Sequence, residues 1–78
     1  MTTATIDLTV DARGLACPMP IVRTAQAMKT VAPGQLVEVL ATDVGSQKDF
    51  PAWSKATGHP IVESGLAAGV YRFVVQHK

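Results

Sequence analysis

The chain has 78 residues, of which 47% are hydrophobic, and its seven basic and six acidic residues give a formal net charge of +1. A chain of this length makes one small domain, so residues 1–78 are treated as a single domain with one hydrophobic core. The sequence has no cluster of basic residues of the kind that binds nucleic-acid phosphates. We also predict no membrane-spanning segment and no signal peptide.

The first predicted element is a strand. Ile6, Leu8 and Val10 alternate with polar residues, a period of two that is typical of a strand with one buried face. A turn at residues 13–16 follows it.

The next segment has the spacing of an amphipathic helix. Proline suits the first helical position, because its φ is already helical and its missing N–H would have no partner there. Pro18 therefore predicts a helix start, with Cys17 as the N-cap or its neighbour. Pro33 and Gly34 supply the stop signal. The apolar residues that recur at helical spacing are Ile21, Val22, Ala25, Met28 and Ala32.

Residues 36–41 form the second predicted strand, with Val37, Val39 and Ala41 on one side. Such a strand has one face for the core, because successive side chains point to opposite faces of a sheet. Residues 42–45 are predicted to form a loop.

The second helix is harder to place. Ser46 followed three residues later by Asp49 resembles an N-terminal capping arrangement. Proline disrupts a helix interior, so Pro51 predicts a short turn over residues 46–50 and a helix that restarts at Pro51 and runs to about residue 57. Gly58 is the natural C-terminal stop.

The C-terminal third is predicted to form two strands, over residues 60–64 and 70–76, joined by a loop over residues 65–69. The element order is therefore β-α-β-α-β-β. Strands joined through helices should run parallel, and the last two strands should be antiparallel. These expectations predict an α/β (α+β) two-layer sandwich, a four-stranded mixed sheet with two helices on one face.

Cys17 is the only cysteine, and it stands where the first helix is predicted to begin. A helix start favours a nearby anion, and cysteines there can have a lowered pKa. Pro18 and Pro20 remove two of the amide donors of that helix start, whereas Arg13 can add positive charge. The sequence favours an exposed, reactive thiol over a buried structural one, although free cysteines are often simply buried. A lone cysteine has no internal disulfide partner, which is typical of a reducing compartment, so we expect a cytoplasmic protein.

Asp43 lies at the end of the second strand, as Cys17 lies beyond the end of the first. Loops at the carboxyl ends of parallel strands meet at one edge of a sheet, where ligands tend to bind. Asp43, Ser46 and Lys48 are therefore candidate neighbours of the thiol. His59 and His77 are too far away in the sequence to be assigned to Cys17, and one cysteine with two separated histidines argues against a zinc site.

The segment from Asp11 to Pro20, which contains Cys-Pro-Met-Pro, resembles the TusA/SirA-like sulfur carrier family, whose signature is Cys-Pro-x-Pro at the first helix. The segments at residues 41–46 and 49–51 are also similar to that family, and the resemblance extends from Asp7 to about Val75.

The resemblance implies a persulfide relay and a sulfurtransferase type of chemistry. It implies that Cys17 accepts sulfane sulfur from a donor, a cysteine desulfurase or a rhodanese-like protein, and hands it to an acceptor protein. We expect Pro18 and Pro20 to shape the start of the helix, with Arg13 as an electrostatic helper. Met19 is expected at the exposed rim of the site, where it contacts the partner. It implies no resident cofactor, only a transient persulfide on Cys17.

The middle residue of the signature indicates the branch of the family. Members devoted to transfer-RNA thiolation commonly have an acidic residue between the prolines, where this chain has Met19. Met19 resembles the branch associated with sulfur oxidation, whose acceptors are DsrE-like or heterodisulfide-reductase-like. A relay for transfer-RNA 2-thiouridine or cofactor biosynthesis is the alternative. A small nucleic-acid-binding or regulatory interaction module is the alternative of another class, since fold alone does not decide function.

Overall fold

The structure is a computed structural model and describes residues 5–78. None of the helices within these residues is long and apolar enough to cross a membrane. The elements, in chain order, are β1 (Leu8–Ala12), α1 (Met19–Met28), β2 (Leu36–Ala41), α2 (Ser46–Thr57), β3 (Ile61–Ala67) and β4 (Val70–Gln76).

The four strands form one mixed sheet in the order β1-β2-β4-β3. β1 and β2 are parallel neighbours, while β4 is antiparallel to both β2 and β3. β2 and β3 therefore run in the same direction, with β4 inserted between them. The predicted fold class, element order and strand directions are confirmed.

One face of the sheet and the two helices enclose the core. Phe50 of α2 has no solvent exposure, and its ring stacks on Phe73 of β4 with 4.6 Å between the ring centroids. α2 is thereby fastened to the middle of the sheet. The buried cluster consists of Met28, Val37, Val39, Phe50, Phe73 and Val75.

The opposite face of the sheet carries a polar network that crosses all four strands. Arg72 of β4 forms ion pairs with Glu38 of β2 and, at 3.0 Å, with Glu63 of β3, and Thr9 of β1 donates a hydrogen bond to Glu38 at 3.1 Å. These groups satisfy one another, so this part of the face is polar.

α1 begins one residue later than predicted and ends earlier. Pro18 is the N-cap rather than the first helical residue, and Cys17 immediately precedes it. The Cys17–Pro18 peptide bond is cis. The helix ends at Met28 instead of reaching Ala32, because Thr30 donates its hydroxyl proton to the carbonyl of Ala27 at 2.7 Å and closes the last turn.

The predicted break at Pro51 was wrong. α2 is one continuous helix with Pro51 inside it, and it ends at Gly58 as expected, where φ is +82°. Pro51 removes one backbone donor. The burial of Phe50 just before it and the anchoring of that ring on Phe73 outweigh this loss, because packing rather than propensity decides most helices in proteins.

β3 is longer than predicted, whereas β4 has the predicted bounds. β3 extends to Ala67, so only Ala68 and Gly69 form the turn, and both have positive φ, +52° and +78°. Two such residues match the twist of a hairpin.

At the other end of the sheet, β1 begins at Leu8, because the carboxylate of Asp7 accepts the backbone N–H of Leu36 at 2.8 Å.

We predict that Phe50→Ala lowers the free energy of unfolding by about 3–5 kcal/mol, because it leaves a cavity between α2 and the sheet. Urea denaturation followed by circular dichroism measures the change. Leu66→Ala, at a side chain that is 60% exposed, is the control and should change stability by no more than about 0.5 kcal/mol. Equal losses in both variants would contradict this account of the core.

Candidate functional site

The carboxyl ends of β1 and β2 lie side by side, with Ala12 paired to Ala41. The chain leaves both strands at this edge of the sheet and leads into α1 and α2. The two connecting loops are joined by a hydrogen bond of 2.8 Å from the backbone N–H of Gly14 to the hydroxyl of Thr42. Cys17 follows the first loop, and Asp43 lies in the second.

Cys17 is exposed, and its thiol donates a hydrogen bond to a carboxylate of α2. The distance from Sγ to Oδ2 of Asp49 is 3.0 Å. Asp49 belongs to the first turn of α2, and its side chain is half-buried. The contact therefore links the segment before α1 to the start of α2 and fixes the position of the sulfur.

The expectation that this position favours the thiolate was wrong. The hydrogen bond to Asp49 raises the pKa of the Cys17 thiol above its ordinary value, and partial desolvation and the charges of Asp49 and Asp43 raise it further. The first turn of α1 offers little compensation, because Pro18 and Pro20 have no N–H and the N-cap makes no side-chain hydrogen bond. The resting form of Cys17 is thus a thiol.

Asp43 and Asp49 converge over Gly45. A Cβ atom built on Gly45 would lie 2.9 Å from Oδ2 of Asp43 and 3.6 Å from Oδ2 of Asp49. The glycine leaves room for the two carboxylates to stand together beside the sulfur. Sequence reasoning placed Asp43 at this edge but missed Asp49, which it assigned to a helix cap.

The other two candidate neighbours make no hydrogen bond with Cys17 within the described residues. Ser46 is 1% exposed, and its hydroxyl has no hydrogen-bond partner there. Lys48 is exposed and, among residues 5–78, forms no ion pair. Their roles at the site stay predictions.

Arg13, in the turn after β1, is held by an acid of that strand. Its guanidinium donates two hydrogen bonds to Asp11, at 2.8 and 2.9 Å, and these bonds lower the pKa of Asp11 to about 2. The charge of Arg13 is therefore engaged at the end of β1. Its predicted help to the thiol is not visible as a contact.

Exposed apolar side chains follow Cys17 in the chain and also occur in the loop before α2. Met19 is 39% exposed and Val22, one helical turn later, is 36% exposed. Val44, beside Asp43, is 69% exposed. Pro18 is exposed as well, whereas Pro20 is buried in the first turn of α1. The start of α1 and the loop before α2 thus each expose apolar side chains to solvent.

The two histidines lie at the other end of α2. His59 follows the helix C-terminus, and its ring lies 4.8 Å from that of His77 and 5.6 Å from that of Trp53. Neither histidine therefore serves as a base for Cys17 in this structure. Residues 5–78 hold no group of three or more His, Cys, Asp or Glu that could bind a metal ion.

Two surface grooves lie away from the thiol. One runs between α2 and the β3–β4 hairpin and the other between β1 and α1, and neither includes Cys17 among its lining residues. The sulfur stands on an open surface, which a second protein can approach directly.

Comparison with known proteins gives a consistent picture. The family model "Sulfurtransferase TusA" matches residues 8–77. The chain is 49% identical over 70 residues to YrkI of Bacillus subtilis, covering 90% of this chain and 93% of that protein. It is 41% identical over 73 residues to the sulfur carrier protein TusA of Allochromatium vinosum, covering 94% and 96%. The crystal structure of a SirA-like protein from Desulfitobacterium hafniense superposes with a TM-score of 0.78 at 25% identity, covering 88% of this chain and 95% of that one.

We predict that Arg13→Gln changes the rate of Cys17 alkylation by iodoacetamide by less than about twofold, because Asp11 already neutralises this guanidinium. In the same variant the pKa of Asp11 should rise from about 2 towards that of an ordinary aspartate, as measured by NMR titration of its carboxyl carbon. A large fall in alkylation rate would show that Arg13 acts on the sulfur directly.

Proposed function

The chain belongs to the sulfurtransferase TusA family, and from this premise we propose that it carries sulfur as a persulfide on Cys17. It is a sulfur carrier protein, and such a role requires a donor protein and an acceptor protein. The observation that supports Cys17 as the carrier atom is its placement: the chain's only sulfhydryl is exposed at the sheet edge.

Loading is a sulfur exchange that needs no oxidant. The thiolate of Cys17 attacks the outer sulfur of a donor persulfide, R–S–SH. A bond forms between Sγ and that sulfur, the S–S bond of the donor breaks, and R–S⁻ leaves with the electron pair. The product on this chain is Cys17–S–SH.

Unloading is the same reaction in reverse. The thiolate of an acceptor attacks the outer sulfur of Cys17–S–SH, and Cys17 leaves as a thiolate that regains its proton. No second cysteine exists in the chain, so no internal thiol can attack the persulfide and release sulfide before transfer. The chain therefore has no internal route by which the persulfide is lost before an acceptor reaches it.

Sulfur oxidation or sulfur trafficking in the cytoplasm is the setting that we propose. The donor is then a rhodanese-like protein or a cysteine desulfurase, and the acceptor is a DsrE-like or heterodisulfide-reductase-like protein. Met19 supports this choice over transfer-RNA or cofactor thiolation. It is an exposed apolar residue two positions after the thiol, and it suits an apolar contact on the acceptor.

We predict that wild-type protein incubated with glutathione persulfide gains the mass of one sulfur atom, which dithiothreitol removes, as measured by intact-protein mass spectrometry. Cys17→Ser should gain none. Its far-UV circular dichroism should match that of the wild type, because Cys17 is exposed and outside the core.

A sulfur that persists on the Cys17→Ser variant would contradict the proposal, as would a wild-type protein that gains none. Asp7→Asn, a change at the opposite edge of the sheet, is a second control and should load as the wild type does.

A further inference from the structure

Two carboxylates beside the sulfur have no cationic partner among the described residues. The ion pairs within residues 5–78 join Arg13 to Asp11 and Arg72 to Glu38 and Glu63, and none involves Asp43 or Asp49. Both of these side chains are half-buried. Two negative charges therefore stand together over Gly45, partly withdrawn from water and unneutralised.

Their position affects each step of sulfur exchange. Loading needs the Cys17 thiolate, and unloading generates it. In both cases a full negative charge appears on Sγ, 3.0 Å from the carboxylate oxygen of Asp49. Like charges this close repel each other, and more strongly when a docked partner displaces water and lowers the local dielectric.

A cation supplied from outside reverses this repulsion. We propose that Asp49 and Asp43 select the reaction partners of Cys17 by charge, so that the favoured sulfur donor or acceptor carries a Lys or Arg next to its own reacting sulfur. This inference rests on the proposed function of Cys17. Asp49 is a catalytic residue in this scheme, because it binds the reacting sulfur and holds its proton at rest.

The proton balance of the scheme is simple. In the free protein, Sγ–H donates to Asp49. When the partner's cation pairs with Asp49 and Asp43, the carboxylates no longer oppose ionisation, and the proton leaves to water or buffer. The thiolate then attacks the partner's outer sulfur. The exposed apolar side chains of Met19, Val22 and Val44 give the partner a surface on which to dock. Docking excludes water from the contact and so strengthens the charge pairing.

The test uses small symmetric disulfides in place of an unidentified partner. Cystamine is cationic, 2-hydroxyethyl disulfide is neutral and dithiodiglycolate is anionic. Each reacts with the Cys17 thiolate to form a mixed disulfide and release one thiolate. Rates at pH 7 are followed by intact mass and divided by the rate of the same reagent with 2-mercaptoethanol, a thiol with no other charged group, which removes differences in intrinsic reactivity.

We expect wild-type protein to prefer cystamine over the neutral disulfide by about two- to fivefold, the range of a partly exposed ion pair. Dithiodiglycolate should be disfavoured to a similar degree. Added salt should weaken both preferences, since it screens exposed charges.

Asp49→Asn should reduce the preference for cystamine to near unity, and Asp43→Asn should reduce it in part. Asp49→Asn should also move the pH–rate profile of iodoacetamide alkylation to lower pH, because the main cause of the raised pKa of Cys17 is removed. A purely structural role for Asp49 would not shift that profile. Asp7→Asn, which removes the same charge from the far edge of the sheet, is the matched control and should behave as the wild type does.

The proposal is overturned if wild-type protein shows no charge preference, or if Asp49→Asn and Asp43→Asn both keep the wild-type preference. It is also overturned if Asp7→Asn loses the preference as fully as Asp49→Asn does. Disulfide exchange requires no sulfane sulfur, so these rates can be measured whether or not Cys17 accepts a persulfide. A failure of charge selection is therefore distinguishable from a failure of the proposed function.

Discussion

The contact between the Cys17 thiol and the Asp49 carboxylate exists because β1 and β2 are parallel neighbours. Parallel pairing brings the carboxyl ends of both strands to one edge of the sheet. The segment before α1 and the first turn of α2 must therefore meet there, and the sulfur of one binds the carboxylate of the other. The stacking of Phe50 on Phe73 holds α2 against the sheet, so the core sets the geometry of this surface contact.

This arrangement separates exposure from reactivity. An exposed cysteine with a lowered pKa reacts with oxidants and disulfides indiscriminately. Cys17 is exposed, yet the neighbouring acids raise its pKa and keep the resting sulfur protonated. A carrier that binds more than one protein benefits from a thiol that is accessible but becomes reactive only when a suitable partner binds. In our account a suitable partner has a cation beside its own reacting sulfur.

The regular pattern of the chain predicted most of the fold, and the exceptions have physical causes. β2 and β4 have the predicted bounds because their alternation is strict and each has one buried face. Pro51 misled the prediction of α2, because a local rule about proline carries no information on the burial of Phe50. The same mistake concealed Asp49. A continuous helix from Ser46 puts Asp49 in its first turn, at the sheet edge where Cys17 lies. A separate turn over residues 46–50 would leave the direction of the Asp49 side chain undefined. The role of Arg13 was also beyond the sequence, since no sequence pattern predicts that its guanidinium forms an ion pair with Asp11.

The most direct test of the central claim, that Cys17 holds a sulfur atom and passes it on, is a single-turnover transfer of radioactive sulfur. The chain is loaded with a ³⁵S-labelled outer sulfur, freed of donor and mixed with a reduced acceptor peptide that carries one cysteine and one lysine. Our account predicts that label leaves Cys17 at the rate at which it appears as persulfide on the acceptor peptide. Label that stays on the chain, or departs mainly as free sulfide while the acceptor remains unlabelled, would contradict it.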